Sequence, residues 1–381
     1  MSEVLDVEPA RTEPPEPDGP PERSTLGRIW DVLVRYQGIV VPVVSLAVAF
    51  GIGAILIRSQ GVNPTYAYTS LFKQALFTER GLKITLLKTT PLIFTGVAVS
   101  VALRVGLFNI GGQGQLAFGG LAGALVAAYW HSLPAPLLIV IALIVGTLAG
   151  AIWGSIAGLL KATRGVHEVI STIMLNYIAA QIIDYFITFP LKAPGQTLQQ
   201  TKEITPGTQL PVIGPVPFGF IIAVVLAVAT SWMLLRTTTG FRFNTVGRNK
   251  FAAGYAGISI PTMIVGAMVI SGGLAGLAGT VEALEVMNHY ESGLVGSLGF
   301  DGITVALLAR TNPIGCIPAA FLIGALRAGA PSLQFDTGIQ PQIVDLLLAI
   351  TLLLVSLPLI AQLIFRKRAA GGGALTSGWG S

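Results

Sequence analysis

Five polar side chains interrupt long apolar stretches of the sequence and are its first candidates for ligand chemistry: Asn109, Gln113, Gln115, Asn176 and Asp301. Amides donate and accept hydrogen bonds, but they supply neither a nucleophile nor a strong base. A polar group among apolar residues is costly unless it meets a cavity or a partner. The set therefore favours recognition of a polar ligand over catalysis.

Three of these amides lie in one glycine-rich stretch, GLFNIGGQGQLAFGG at residues 106–120. The glycines allow the backbone to turn, and the N-terminus of the following helix would then present N–H groups to a polar ligand. The alternative is a tight turn whose amides satisfy backbone groups, and the sequence leaves both open. Gly112, Gly114 and Ala117 match a dinucleotide fingerprint, but no strand precedes them, so we reject that interpretation.

Three further polar positions lie in other apolar runs. Asn176 lies within the run 167–186, and we predict that it lines a pore. Asp184 is nearer the outer end of that run, where solvation explains it. Asp301 opens a short run, where capping of the helix is favoured over substrate contact.

Motifs for enzymatic chemistry are absent from the sequence. It contains no G-x-x-x-x-G-K-[ST] phosphate loop and no G-x-S-x-G or H-E-x-x-H motif. The single cysteine, Cys316, and three widely separated histidines give no metal-ligand spacing. We therefore expect no catalytic residue, no bound metal and no cofactor in this chain.

The elements that carry the polar residues are predicted to be membrane helices. Hydrophobic residues make up 52% of the 381 residues and charged residues 11%, against about 25% charged in soluble domains. A large soluble enzyme is thereby excluded. The apolar runs are too long, and alternate too little, for barrel strands. They lie near 38–57, 84–104, 113–130, 136–160, 167–189, 216–235, 260–281, 298–310, 313–330 and 342–365.

These runs predict an all-α integral membrane protein of about ten transmembrane helices. The run 298–310 is too short to cross a bilayer, which needs roughly 20 apolar residues, so we expect a broken or re-entrant helix there. Basic residues in alternate loops place both termini in the cytoplasm, with Lys73, Arg80 and Lys83 as exceptions. Because the basic residues flank membrane runs, the net charge of +5 does not indicate nucleic-acid binding.

The two ends of the chain differ in composition from its middle. Residues 1–30 are rich in proline and acidic residues, which predicts a disordered cytoplasmic tail without a signal peptide. Residues 31–368 form the predicted transmembrane domain, and residues 369–381 form a flexible cytoplasmic tail.

Two patterns concern helix packing. Gly146, Gly150, Gly154 and Gly158 recur every four residues and share one helix face, which indicates either a subunit interface or packing inside the subunit. Residues 94–104 and 300–310 also form a weak repeat, FTGVAVSVALR and FDGITVALLAR. If the repeat is structural, its final arginines, Arg104 and Arg310, lie at equal depth near the cytoplasm.

The segment 237–258 is basic and too polar to span a membrane. It contains an alanine-rich stretch bounded by Gly247 and Gly257, where we predict a short helix. Such a helix could dock into a groove on a cytosolic partner. The alternative is an ordinary cytoplasmic loop held by lipid phosphates.

Four stretches, in order along the chain, resemble the permease subunits of ABC importers in the branched-chain amino acid/ribose permease superfamily, and most closely the nucleoside-type permeases. The resemblance covers residues from about 84 to 365 and leaves out the proline-rich tail. The stretches are GLFNIGGQGQLAFGG, KATRGVHEVISTIMLNYIA (161–179), GRNKFAAGYAGI (247–258) and GFDGITVALLARTNPIG (299–315).

The resemblance implies a type II-like ABC importer permease in the plasma membrane of a prokaryote. Such a subunit pairs with a second permease, as a homodimer or heterodimer, and docks cytosolic ABC ATPases that bind ATP and Mg. An extracytoplasmic binding protein delivers the small-molecule substrate. The resemblance also implies an ATPase-coupling segment, with a second contact at Lys161, Arg164 and Glu168. The coupling candidates in the main segment are Gly247, Arg248, Lys250, Ala252, Ala253 and Gly257.

We therefore expect import of a nucleoside, with membrane lipid as a further partner and no nucleic acid. The same machinery could carry a pentose sugar or a branched-chain amino acid. A secondary transporter driven by an ion gradient would need buried carboxylates, for which Asp184 and Asp301 are the plausible positions. A membrane scaffold fits poorly with amides inside apolar runs.

Overall fold

Helices account for nearly all of the regular structure. The structure is a computed structural model that describes residues 37–364, except 131, 196, 292, 294 and 295, and the side chains between residues 42 and 356. The predicted tails, 1–30 and 369–381, lie outside the described residues, as do both termini. From Pro42 onward the described residues belong to one compact unit.

The regular structure of the described residues consists of thirteen α-helices, one π-helical turn and one short hairpin. The hairpin pairs β1 (Val212–Ile213) with β2 (Val216–Pro217), and the π-turn Ala283–Met287 extends the tenth helix. The helices are α1 (Gln37–Ser59), α2 (Pro64–Leu76), α3 (Glu79–Arg104), α4 (Gly112–Tyr129), α5 (Ala135–Arg164), α6 (Glu168–Thr188), α7 (Phe218–Arg236), α8 (Thr238–Arg248), α9 (Lys250–Tyr255), α10 (Ile260–Glu282), α11 (Leu298–Leu308), α12 (Cys316–Thr337) and α13 (Gln342–Ile364).

Seven of the described helices are long and apolar enough to cross a membrane: α1, α3, α5, α6, α7, α10 with its π-turn, and α12. All ten predicted apolar runs fall on helices, which confirms the all-α prediction. α11 has 11 residues and is about 16 Å long, so the predicted short helix is present. The number of about ten crossings stays a prediction.

Two helices form the centre of the unit. In the most apolar windows of α3 and α10, 83% and 72% of the residues are buried, against 22% for α5. α3 nevertheless carries several hydroxyl side chains. Thr89, Thr90, Thr95 and Ser100 each donate to the backbone carbonyl four residues earlier, at 2.7–2.9 Å. These local bonds satisfy the hydroxyls, so the helix can lie inside an apolar core.

The glycine stripe of α5 packs inside the subunit. All four glycines are buried against α10. Gly150 meets the backbone of Gly272 and Gly276, and a Cβ on Gly158 would lie 3.0 Å from Met268 Cβ. Small residues allow this close approach, in which dispersion contacts accumulate. Of the two alternatives, internal packing is the one that the structure supports.

The two copies of the weak repeat lie side by side. Gly96 on α3 faces Val305, and Gly302 on α11 faces Thr95. At the end of both helices, Arg104 Nη2 donates to the Thr311 carbonyl oxygen at 3.2 Å. Arg104 and Arg310 therefore lie at the same end, as the repeat predicted. We call this end, which also carries Arg248, the basic end.

α2 is a helix that the sequence analysis did not predict. Asn63 caps it by accepting the Thr65 N–H at 2.9 Å, and Pro64 occupies its first position. The hydroxyl of Tyr68 donates to the Phe50 carbonyl on α1 at 2.8 Å, and burial raises the pKa of Tyr68 to about 12. The polar residues of α2 hid it from a search for apolar runs.

The long connection between α6 and α7, residues 189–217, is fastened to the chain that follows α10. Thr201 N–H donates to the Tyr290 carbonyl at 2.8 Å, and Ile204 N–H donates to the Asn288 carbonyl at 2.7 Å. Tyr290 is almost fully buried beneath this connection. These backbone bonds define a covered surface at the end opposite to the basic end.

Candidate functional site

The amides of Asn109 and Gln115 bind each other. Asn109 Nδ2 donates to Gln115 Oε1 at 3.0 Å, and Gln115 Nε2 donates back to Asn109 Oδ1 at 3.2 Å. Asn109 also donates to Ser271 Oγ at 2.8 Å and accepts the Gly111 N–H at 2.9 Å. Both amides are buried, and the capacity of Asn109 is filled. In this conformation they hold a turn rather than face a ligand.

Asn176 on α6 fastens the same turn from outside. Its Oδ1 accepts the Gly114 N–H, and its Nδ2 donates to the Ile110 carbonyl, both at 2.9 Å. Irregular backbone inside a membrane protein needs such partners, because lipid supplies none. We call residues 109–115 with Asn176 the amide turn. This geometry corresponds to the tight-turn alternative for Asn109, Gln115 and Asn176, while substrate contact stays a prediction.

Gln113 joins the starts of two helices. Its Oε1 accepts the Gly299 N–H at 2.9 Å, and its Nε2 donates to the Gly296 carbonyl at 2.6 Å. The N-terminal end of α4 thereby meets that of α11 across a gap of 186 positions in the sequence. The side chain of Gln113 thus fixes the starts of these two helices against each other. Gln113 is only partly buried.

A charged cluster adjoins this helix junction. Arg327, midway along α12, pairs with Asp301 Oδ2 at 2.6 Å and donates to Ser297 Oγ at 3.0 Å. Ser297 Oγ donates to Asp301 Oδ2 at 3.0 Å, and Asp345 Oδ1 lies 3.8 Å from Arg327. We call Ser297, Asp301, Arg327 and Asp345 the charged cluster. The predicted capping role of Asp301 is wrong, because Ser297 occupies the N-cap position and Asp301 lies in the first turn of the helix.

Arg327 belongs to the charged cluster but was not among the residues predicted from the sequence. An arginine in the run FLIGALRAGA is a signal by itself, since a charge inside a membrane helix is usually paired and functional. The apolar residues around it hid that signal when the run was treated as a whole. Asp345 was missed for the same reason, at the start of α13.

Two more carboxylates lie inside the protein. Glu282, in the last turn of α10, is 5% exposed, and Lys88 on α3 is the positive charge that acts on it. Glu285 lies in the π-turn and accepts the Gly219 N–H at 2.9 Å, at the start of α7. A carboxylate there offsets the helix dipole. The expectation that only Asp184 and Asp301 were plausible buried carboxylates is therefore wrong. Asp184 is itself partly buried, and its negative charge interacts electrostatically with Tyr290.

The predicted short helix in 247–258 is α9. Asn249 Oδ1 caps it by accepting the Ala252 N–H at 3.0 Å, and Gly257 ends it with φ +74°. Gly247 packs so closely on α3 that a Cβ there would collide with the Arg104 carbonyl oxygen. Ala253 is buried, whereas Arg248 and Ala252 are exposed and Lys250 is partly exposed. The segment is thus a firmly held pair of short helices at the basic end.

α9 presents two aromatic residues that sequence reasoning did not single out. Phe251 and Tyr255 are four positions apart, so they share a helix face, and they are 78% and 95% exposed. Large aromatic side chains with so little cover are typical anchors of protein interfaces. The pattern F-x-x-x-Y could have identified them in the sequence.

The second predicted contact lies in the turn between α5 and α6. Lys161 Nζ pairs with Glu168 at 2.9 Å, and Gly165 ends α5 with φ +65°. The ion pair closes this turn within the chain. Arg164 is exposed.

A metal centre is not formed by the residues that the structure describes: no three His, Cys, Asp or Glu side chains come together there. The chemistry of the described sites is hydrogen bonding and ion pairing. The absence of a cofactor stays an expectation.

Comparison with known proteins identifies the family of this chain. The family model described as "Branched-chain amino acid transport system / permease component" matches residues 81–356. That range begins with α3 and ends in α13, so it includes the amide turn, the charged cluster and α9.

Three curated relatives align over most of the chain. The nucleoside ABC transporter permease protein NupB of Lactococcus lactis is 35% identical, over 88% of this chain and 95% of its own. The guanosine ABC transporter permease protein NupP of Bacillus subtilis is 35% identical, over 84% and 94%. The glucose ABC transporter permease protein TsgB13 of Haloferax volcanii is 30% identical, over 87% and 89%. This chain is a multi-pass membrane protein that belongs to the permease component family of branched-chain amino acid transport systems.

Proposed function

We propose that this chain is the membrane-spanning permease subunit of an ATP-driven ABC importer for nucleosides. The observation that carries the proposal is the 35% identity to a nucleoside permease and a guanosine permease, each aligned over at least 84% of the chain. The alignments cover nearly the whole length of both relatives, so the similarity concerns an entire permease rather than a shared fragment.

The same relationship supports an assembly of several subunits. The chain pairs with a second permease, identical or related, in the plasma membrane of a prokaryote, with both termini and the basic end in the cytoplasm. Cytosolic ABC ATPases bind ATP and Mg and dock at α9. A binding protein delivers the substrate on the opposite side. Residues 31–368 form the permease domain between two tails. The permease itself catalyses no reaction.

Transport proceeds by alternating access. Closure of the ATPases moves α8 and α9, and this movement reaches the helices through Gly247, which packs on the end of α3. The pathway opens outward, accepts a nucleoside and resets after hydrolysis. Gln113, at the start of α4, and Asp301, in the first turn of α11, are the best placed of the predicted residues to meet the substrate. The Asn109, Gln115 and Asn176 amides keep the adjoining turn in shape.

A sugar is the second candidate substrate, because TsgB13, named as a glucose permease, is 30% identical. A branched-chain amino acid has only the family description in its favour. An uptake assay with labelled uridine, in competition with guanosine, ribose, glucose and leucine, separates these substrates. Competition by guanosine alone supports the proposal, and competition by glucose or leucine alone overturns the nucleoside assignment.

The energy source has its own test. Vanadate should stop uptake and an uncoupler should not, because hydrolysis of ATP by the partner drives transport. The opposite pattern would identify a gradient-driven transporter, for which Glu282 adds a buried carboxylate.

The first experiment is purification of the chain from its native membrane in mild detergent, with mass spectrometry of the accompanying proteins. We expect an ABC ATPase. Phe251→Ser with Tyr255→Ser should release it. Phe77→Ser provides the matched control, because Phe77 is an equally exposed aromatic residue between α2 and α3, where no ATPase is expected. Repeated recovery of the wild-type chain alone would overturn the assembly.

A further inference from the structure

A cavity of about 300 Å³ lies at the basic end, beside the predicted coupling segment that carries Arg248. α3, α7 and α8 form its walls. Arg104 and Arg248 line it together with Asn244 and Thr245, while Leu235 and Phe241 supply apolar surface. Two guanidinium groups thus face one small space.

The guanidinium group of Arg104 is incompletely hydrogen-bonded within the described part of the chain. Arg104 Nη2 donates to the Thr311 carbonyl, and Nη1 lies 3.5 Å from Asn244 Oδ1. The Arg104 Nε is buried and has no hydrogen-bond partner among the described residues. Arg248 acts on Arg104 as a like charge. A buried donor without a partner and a repulsive pair both cost stability, and an anion between the arginines would offset both costs.

The walls of the cavity indicate what kind of anion fits. Leu235 and Phe241 line it and are both largely exposed, so apolar surface adjoins the cationic groups. α8 also exposes two arginines, Arg242 and Arg248, next to this apolar surface. A small soluble anion would make no use of the apolar surface. An anionic lipid would contact both the arginines and the apolar surface, because it carries a negatively charged phosphate and acyl chains in one molecule.

We propose that the Arg104–Arg248 cavity binds the phosphate of an anionic lipid headgroup, with the acyl chains along Leu235 and Phe241. Basic pockets between helices at the cytoplasmic surface are suited to such headgroups. The bound phosphate bridges the end of α3 to α8. Because Gly247 packs on the Arg104 backbone, the lipid also steadies the connection to α9.

Native mass spectrometry of the full-length purified chain, titrated with phosphatidylglycerol or phosphatidylcholine, tests this site. We expect one saturable phosphatidylglycerol and no saturable phosphatidylcholine. Arg248→Gln should weaken the binding of phosphatidylglycerol at least about fivefold, the scale of one basic contact with an anionic membrane. Arg248→Lys should retain most of the affinity. Arg242→Gln is the matched control, since Arg242 is exposed on the same helix and does not line the cavity.

A second variant keeps the test independent of any folding defect at Arg248. Thr245→Glu places a carboxylate in the cavity with both arginines intact, and it should also expel phosphatidylglycerol. Unchanged lipid binding in Arg248→Gln and Thr245→Glu, or equal loss in Arg242→Gln, would overturn the site. If inorganic phosphate displaces the lipid at equal concentration, the ligand is free phosphate and the lipid assignment is wrong.

Discussion

Asp301 and Arg327 form a 2.6 Å ion pair between the first turn of α11 and the middle of α12. Their side chains are 15% and 19% exposed, so the pair is largely removed from solvent. Ser297 bonds to both members, and Gln113 holds the backbone on either side of Ser297. The start of the short helix is therefore fixed by polar contacts from two other helices, in a region otherwise packed by apolar side chains.

Loss of one charge of this pair should be more harmful than loss of both. Arg327→Gln leaves Asp301 without its cation, and loss of one partner of a buried pair costs about 3–5 kcal/mol. Asp301→Asn should cost less, because Arg327 keeps the more exposed Asp345 as a partner at 3.8 Å. The double variant removes the charge imbalance and should recover part of the stability. Thermal unfolding in detergent, monitored by size-exclusion chromatography, ranks the stabilities of the wild type, the single variants and the double variant. If the double variant is less stable than both single variants, the ion pair is not the main contribution of these residues.

Asn176→Ala should lower stability and uptake together. The change leaves the Gly114 N–H and the Ile110 carbonyl without their partner. The loss costs about 1–3 kcal/mol for the buried Gly114 N–H and less for the partly buried Ile110 carbonyl. Gln181→Ala is the control, because Gln181 is an exposed amide on the same helix. A rise in the KM for uptake with an unchanged Tm would instead place Asn176 in contact with the substrate.

Gly150→Ala should destabilise the packing of α5 on α10. The added methyl group would meet the backbone of Gly272 and Gly276, and overpacking of this kind costs about 1–3 kcal/mol. Gly51→Ala on α1 makes the same chemical change where a Cβ meets nothing within 4 Å. The Tm of this variant should therefore equal or exceed that of the wild type. Equal Tm values for the two variants would show that the contact tolerates a methyl group.

Gly257→Val should uncouple ATP hydrolysis from transport. Gly257 has φ +74°, which costs a β-branched residue about 1–3 kcal/mol and would shift the end of α9. Gly257→Asn is the matched control, because asparagine tolerates this conformation. In proteoliposomes with the ATPase, we expect the valine variant to hydrolyse ATP without uptake and the asparagine variant to transport. Normal uptake by the valine variant would remove the coupling role of this turn.

Local sequence patterns predicted much of the architecture. The apolar runs marked helices because a bilayer-spanning segment needs about 20 apolar residues whatever its neighbours are. The short run at 298–310 and the glycines around α9 were also visible, since length and backbone conformation are local properties. α2 escaped because it is short and polar, and Phe251 and Tyr255 escaped because exposure depends on what covers a side chain.

The sequence by itself determined an all-α membrane chain, its family resemblance and a short helix between Gly247 and Gly257. Only the tertiary structure decided that the glycine stripe faces α10, that Asn109 binds Gln115, and that Arg327 pairs with Asp301. The physical reason is that periodicity shows which residues share a helix face. The rotation and depth of each helix, which decide what that face meets, come from packing all the helices at once.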